Sequence, residues 1–185
     1  IEFSCKTGLC GLYPQARLDD DGISWLWQAL TERGKTLVLD LGTAGERCYQ
    51  TEAVRNIATS YPTLSIVIAH LGQPRPEVET RPELWQRWCD QIDLGLLSNV
   101  WFDTSSLPNY DPDDEYPFAT AAHNLHTAIE RIGTRKILWG TDQPGLLGTA
   151  SYPQLMASIR HHTKSLSAAD RAAIFGENAL TAYGL

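Results

Sequence analysis

The chain alternates between short runs of apolar residues and longer amphipathic stretches. Four apolar runs lie at residues 37–39, 66–69, 100–102 and 137–139. Runs that are apolar at every position are typical of strands buried on both faces, as in parallel sheets. Parallel neighbours need a crossover connection that is usually a helix, so the alternation predicts an α/β fold built from consecutive βα units.

The amphipathic stretches predict the helices of these units. In one of them, apolar side chains recur at helical spacing from Leu84 to Leu96. Thr51 and Ser167 precede two other stretches and are predicted N-caps. Together with a further strand at residues 1–4, the pattern predicts one domain of five strands over residues 1–185. The predicted helices lie at residues 23–33, 52–60, 82–97, 152–162 and 168–183, with one more that ends near residue 132.

Each of the four apolar runs is followed by a polar residue that can take part in chemistry. These residues are Asp40, His70, Asp103 and Asp142. Parallel strands all present their C-terminal ends on the same side of a sheet or barrel, so we expect the four side chains to converge. The sequence therefore predicts an active-site rim at the C-terminal ends of the strands.

Strict βα alternation fits both an open doubly wound sheet and a (β/α)₈ barrel. A dinucleotide-binding sheet would carry the spacing G-x-G-x-x-G directly after a strand. The only candidate, Gly-Thr-Ala-Gly at residues 42–45, does not have that spacing. The dinucleotide-binding alternative is therefore the weaker of the two.

Composition narrows the range of partners. The 185 residues are 43% hydrophobic and carry a formal net charge of −7, so we expect a real core and repulsion from nucleic acid or an anionic membrane. A small molecule is the expected partner. No apolar stretch approaches the length of about 18 residues that a membrane span needs. The four cysteines Cys5, Cys10, Cys48 and Cys89 form no CxxC pair, which favours reduced thiols in a cytoplasmic protein.

Four segments of the chain carry a resemblance to known proteins: IVIAHLG at 66–72, NVWFDTS at 99–105, RKILWGTDQP at 135–144 and IFGENA at 174–179. In this order they resemble consecutive landmarks of one family, the amidohydrolase-related TIM-barrel proteins, also called amidohydrolase 2. The resemblance extends from residue 37 to residue 185 and implies the C-terminal part of a (β/α)₈ TIM barrel, with strands 4 to 8 present and strands 1 to 3 missing. The chain opens on a strand without an initiating Met, so we expect it to be cut from a longer protein.

The resemblance implies roles for three of the rim residues. His70 matches the family's histidine at the end of the sixth strand, and Asp142 matches the aspartate that ends the eighth, so both are expected to be catalytic. The family's fifth-strand histidine falls on Asp40, which is a departure. Asp142, Asp40 and His70 would then ligate a divalent metal, with zinc expected, although a carboxylate in place of an imidazole lowers the affinity for zinc. The family's pair of histidines on the first strand has no counterpart here.

Lys6 lies at the end of the predicted first strand, where the resemblance implies a polar group that contacts the substrate. Trp101 and Asp103, in and just after a predicted strand, are the other expected substrate-binding residues. For Asp103, as for Asp40, the alternative is a carboxylate that only holds a loop. His123 and His126 lie three residues apart on a predicted helix without an acidic partner, and we expect them to be surface residues.

The resemblance leaves three hypotheses for function. The first is a metal-dependent hydrolase or nonoxidative decarboxylase that acts on a small organic acid, ester or amide. The second is a metal-independent, lactonase-like hydrolase, which the aspartate at position 40 allows. The third is a non-catalytic barrel remnant that serves as a binding module. A barrel fragment also has open edges, so we expect either a homo-oligomer or pairing with the missing N-terminal strands.

Overall fold

The computed structural model describes all residues from 1 to 185 and contains one sheet of four parallel strands in chain order. The strands are β1 (Leu37–Leu39), β2 (Ile66–Ile68), β3 (Val100–Asp103) and β4 (Ile137–Leu138). Each strand pairs with the next one along the chain, which is the strand order expected for consecutive βα units. The predicted α/β class is therefore confirmed.

Nine α-helices surround this sheet. Several are continued by short 3₁₀ segments, and a π turn at Ala173–Glu177 interrupts the last predicted helix. The helices are α1 (Leu9–Leu12), α2 (Ser24–Glu32), α3 (Thr51–Ser60), α4 (Pro76–Glu79), α5 (Pro82–Ile92), α6 (Ala119–Ile132), α7 (Tyr152–His162), α8 (Ala168–Ala172) and α9 (Asn178–Tyr183). None of them is both long and apolar enough to cross a membrane.

Side chains of the strands alternate between two covered faces. One face belongs to the main core of 34 buried residues, which includes Leu39, Ile68 and Phe102 together with side chains of the helices. The opposite face carries a smaller buried cluster in which Trp101 packs with Val67, Leu138 and Ala182. Since both faces are covered, every position in these strands except Asp103 at the end of β3 is apolar, as the sequence pattern predicted.

The predicted first strand at residues 1–4 is wrong as a full strand, because residues 1–3 make only an isolated parallel bridge between Glu2 and Asp40. Two hydrogen bonds form it, from Phe3 N to the Asp40 carbonyl at 2.7 Å and from Asp40 N to the Ile1 carbonyl at 3.0 Å. The Leu9 amide then bonds to the Glu2 carbonyl, so the chain folds back instead of extending the ladder. The bridge still places residues 4–6 beside the C-terminal end of β1.

Two of three helix ends differ from the prediction. Ser167 is the N-cap of α8, as predicted, because its hydroxyl accepts a hydrogen bond from the Asp170 amide. Thr51 is not a cap but the first residue of α3, and its hydroxyl contacts the Gln91 side chain at 3.2 Å. The helix predicted over residues 82–97 ends at Ile92 and continues as a 3₁₀ turn.

One buried hydrogen bond connects α5 to the loop that follows β2. The indole nitrogen of the fully buried Trp88 donates to the carbonyl of Leu71 at 2.8 Å. Leu71 is the residue after His70, so the helix fixes the backbone at the rim. A buried tryptophan is well suited to this, because its large ring fills the core while its N–H satisfies one backbone acceptor.

Candidate active site

The strand ends form the predicted rim. Asp40 and Asp103 lie at the ends of β1 and β3, and His70 and Asp142 lie just beyond β2 and β4. His70 and Asp142 both have left-handed backbone conformations, with φ of 61° and 55°. Such conformations cost about 1–3 kcal/mol in residues other than glycine and cluster at functional sites, where the surrounding structure holds them in place.

The Asp103 carboxylate holds the loop segments that follow β2 and β3. Its Oδ1 atom accepts the backbone amides of His70 and Ser105, both at 3.0 Å, and also the Ser105 hydroxyl. The Ser105 Oγ atom lies 2.9 Å from Nδ1 of His70. Asp103 and Ser105 therefore fix both the backbone and the ring of the histidine.

Asp40 faces the other nitrogen of the same histidine. The Oδ2 atom of Asp40 lies 3.9 Å from Nε2 of His70. The Oδ1 atom of Asp40 accepts the amide of Gly42 at 3.0 Å and the side-chain amide of Gln73 at 2.8 Å. One carboxylate oxygen thus orders the loop, and the second remains directed toward the imidazole.

Asp142 lies at the exposed mouth of the rim. Its Oδ2 atom accepts a hydrogen bond from the hydroxyl of Ser106, a buried residue with a left-handed backbone of its own. A carboxylate that is anchored on one oxygen and open to solvent on its other side can accept a proton from water.

Tyr110 is a rim residue that the sequence analysis missed. It lies in the loop after β3, is buried, and its ring centroid is 6.2 Å from that of His70. The Arg75 guanidinium lies 5.1 Å from the centre of the same ring. Burial, together with the charges of Asp40, Asp142 and Asp103, raises the pKa of Tyr110 well above its ordinary value. The phenol therefore keeps its proton and can donate a hydrogen bond.

Of the two other predicted substrate-binding residues, one reaches the rim and one does not. Lys6 is exposed and lines a cleft of about 460 Å³ that also contains Asp40 and Arg75. Trp101 packs in the inner cluster of the sheet, and the Lys136 ammonium lies 4.5 Å from the centre of its ring. Trp101 is on the same face of β3 as Asp103 but two residues deeper, so the structure does not bring it to the cleft.

The donor atoms at the rim provide two metal ligands rather than three. Asp40 Oδ2 and His70 Nε2 face each other at a separation that one cation could bridge. Asp142 is not close enough to share an ion with that pair, since no group of three ligand atoms forms here. A catalytic zinc ordinarily has three protein ligands, so the three predicted metal ligands do not fit a complete site as arranged.

Comparison with known proteins agrees with this architecture. The sequence model of the Amidohydrolase family matches residues 8–185. The chain therefore belongs to the amidohydrolase family, as its strand-end motifs indicated. No curated protein matches the sequence at a significant level.

Solved structures of the same family share the fold. An amidohydrolase from Burkholderia multivorans with bound HEPES is 23% identical, with a TM-score of 0.76, over 91% of this chain and 59% of that one. A Pseudomonas putida protein designated a 2-pyrone-4,6-dicarboxylic acid hydrolase is 20% identical, with a TM-score of 0.70, over 100% of this chain and 62% of that one. A 2,6-dihydroxybenzoate decarboxylase from Rhizobium is 18% identical, with a TM-score of 0.56, over 92% and 58%. The chain thus spans about three-fifths of the length of these relatives.

We predict that Asp103→Ala lowers the free energy of unfolding by about 2–3 kcal/mol, because the amides of His70 and Ser105 lose a charged acceptor. Urea denaturation measures the change. Asp113→Ala, at an exposed site nearby, is the matched control and should change stability by no more than about 0.5 kcal/mol. Equal effects of the two substitutions would show that Asp103 does not hold these loops.

Proposed function

We propose that the rim belongs to a hydrolase that cleaves an ester, lactone or amide of a small organic acid. The observation that supports this most directly is the convergence of Asp142, His70 and Tyr110 at the C-terminal ends of adjacent parallel strands, where barrel enzymes carry their active sites. Family membership supports an enzyme of the hydrolase and decarboxylase class.

The side chains divide the reaction among them. Asp142 takes a proton from the attacking water as general base while the water oxygen bonds to the acyl carbon, and it returns that proton to the leaving oxygen or nitrogen when the acyl bond breaks. The hydrogen bond from Ser106 keeps Asp142 oriented. The protonated phenol of Tyr110 donates a hydrogen bond to the carbonyl oxygen of the substrate as negative charge develops there. His70, held by Asp103 and Ser105, directs Nε2 toward Asp40 and supplies a second polar contact for the reacting group.

The cleft has a mixed charge, with three basic side chains that can bind a carboxylate of the substrate. The basic residues are Lys6, Arg75 and Arg81, and the acidic ones are Glu2, Asp40, Glu46 and Glu77. Asp40 lies in the same cleft and would repel a carboxylate placed beside it, so we place the acidic group of the substrate on the side of Arg75 and the scissile bond nearer to Tyr110. A small-molecule carboxylic acid derivative fits this distribution.

A metal-dependent hydrolase or decarboxylase is the second candidate. The approach of Asp40 to His70 favours it, and so does the solved form of the Burkholderia protein with bound zinc, which is 22% identical with a TM-score of 0.74. Asp142 would have to move toward the pair to provide the third ligand. The arrangement of the side chains therefore supports metal-independent hydrolysis better.

The relation of this chain to a complete barrel is part of the proposal. The order of the family motifs supports assigning β1 to β4 as strands 5 to 8 of a barrel, with residues 1–3 in the position of strand 4. Strands 1 to 3 would then close the cleft on the side of Lys6. The experiments below accordingly use the full-length protein.

We predict that Asp142→Asn lowers kcat/KM by about 10²–10⁴-fold while the protein remains folded, because the amide cannot accept the proton. Hydrolysis is measured on a panel of lactones, esters and amides of small carboxylic acids that includes 2-pyrone-4,6-dicarboxylate. Asp113→Asn is the control and should leave the rate unchanged. If no member of the panel is hydrolysed by the wild-type protein but some bind, the chain is a binding module and the proposal is wrong.

Tyr110→Phe should lower kcat by about 10²-fold with little effect on KM, because the hydrogen bond is stronger in the transition state than in the bound substrate. Steady-state kinetics on the best substrate of the panel measures this. Tyr116→Phe, on an exposed tyrosine of the same loop, provides the comparison. A rise in KM with kcat unchanged would mean that Tyr110 only binds the substrate.

Treatment with a chelator distinguishes metal-independent hydrolysis from the metal-dependent hydrolase or decarboxylase. We predict that the rate of hydrolysis stays within about twofold, because the roles proposed for Asp142, Tyr110 and His70 use no bound cation. Circular dichroism before and after chelation shows whether the protein is still folded. A folded protein that loses activity and regains it with added zinc would favour the metal-dependent candidate.

A further inference from the structure

Three of the four cysteines lie together although they are far apart in sequence. The sulfur of Cys5 is 2.8 Å from that of Cys48 and 3.8 Å from that of Cys10. The carboxylate of Glu46 lies 3.5 Å from the Cys48 sulfur. No disulfide joins any of these residues. The spacing of the cysteines along the chain, which contains no CxxC pair, does not reveal this cluster.

The cluster is assembled from two parts of the chain. Cys5 follows the bridge between Glu2 and Asp40, while Glu46 and Cys48 lie in the loop that joins β1 to α3. The Glu46 carboxylate is held in place by the amide of Thr43 at 3.2 Å. The cluster therefore connects the first residues of the chain to the sheet, to which they are otherwise paired by a single bridge.

A glycine keeps the space at the cluster open. Gly42 has a φ of +72°, and a Cβ atom added there would lie 2.6 Å from Oε2 of Glu46 and 3.1 Å from Sγ of Cys48. Any side chain at this position would thus displace the carboxylate and the thiol from each other. Gly42 therefore allows both the left-handed turn of the loop and the close approach of the Glu46 and Cys48 donor atoms.

We propose that Cys5, Cys48 and Glu46 form a binding site for a thiophilic divalent cation, most suitably zinc. The donor atoms of Cys5, Glu46 and Cys48 all lie within 4.8 Å of one another, and no other group of three or more such side chains in the protein does. Two thiolates on one tetrahedral zinc are about 3.8 Å apart, and a thiolate and a carboxylate oxygen about 3.5 Å, given the usual bond lengths.

The geometry of the apo cluster is close to these values. The Cys48–Glu46 distance already matches, and the Cys5–Cys48 pair must open by about 1 Å. Cys5 is only partly buried, so its side chain can make this adjustment.

The site differs from the rim in ligands and in role. Its three ligands are two thiols and one carboxylate, whereas the rim pairs a carboxylate with an imidazole. Bound zinc would tie the residues around Cys5 to the β1–α3 loop. The inference does not depend on the reaction proposed for the rim.

Cobalt(II) titration of the reduced full-length protein tests the proposal, because a thiolate-bound cobalt ion gives an intense near-ultraviolet charge-transfer band that carboxylate and imidazole ligands do not. We expect one equivalent of cobalt to produce the band and one equivalent of zinc to abolish it. Cys48→Ser and Cys5→Ser should each weaken cobalt binding by at least about 100-fold. Cys89→Ser, at a buried thiol outside the cluster, should leave it unchanged.

Two further variants distinguish loss of cation binding from poor folding and from changes at the rim. Glu46→Gln retains the shape of the side chain and should weaken binding even if the serine variants fold poorly. The double variant His70→Ala/Asp142→Asn removes rim ligands and should leave the band intact, so failure at one site is distinguishable from failure at the other. Absence of the band in the folded wild-type protein, or a band of equal strength in Cys5→Ser and Glu46→Gln, would overturn the proposal.

Discussion

The parallel pairing of consecutive strands is the constraint on which the rest of the structure depends. Because β1 to β4 run in the same direction and each pairs with its neighbour in the chain, residues separated by about 30 positions each time arrive at one edge. The apolar runs are buried on both faces, so the register that buries them also places Asp40 and Asp103 at the same edge of the sheet.

That edge is held in an unfavourable backbone conformation by ordinary interactions. The left-handed residues His70 and Asp142 are retained because the surrounding groups bond to them: Asp103 accepts the His70 amide, and Trp88 bonds to the carbonyl of the following residue. Energy from core burial thus maintains the orientation of polar side chains at the rim. The proposed hydrolysis requires polar side chains on loops that a rigid sheet holds in position.

The sequence was informative where local pattern determines structure. Apolar runs located β1 to β4, and the strand-end positions of His70 and Asp142 followed from parallel pairing. The strand at residues 1–4 was overestimated because the pattern cannot show that the Leu9 amide folds back onto Glu2. Tyr110 and the thiol cluster could not be predicted, since both arise from contacts between loops. The alternation of β3 gives the face on which Trp101 lies but not its distance from the rim, and in the structure Trp101 packs with Val67 and Leu138.

A crystal structure of the full-length protein with the product of its best substrate, recorded with anomalous data at the zinc edge, tests the central claim most directly. Our account predicts a product oxygen within hydrogen-bond distance of the Tyr110 hydroxyl, the Asp142 carboxylate facing the cleaved bond, and no anomalous peak between Asp40 and His70. A zinc ion bound jointly by Asp40, His70 and Asp142, or a product bound away from the strand ends, would contradict it.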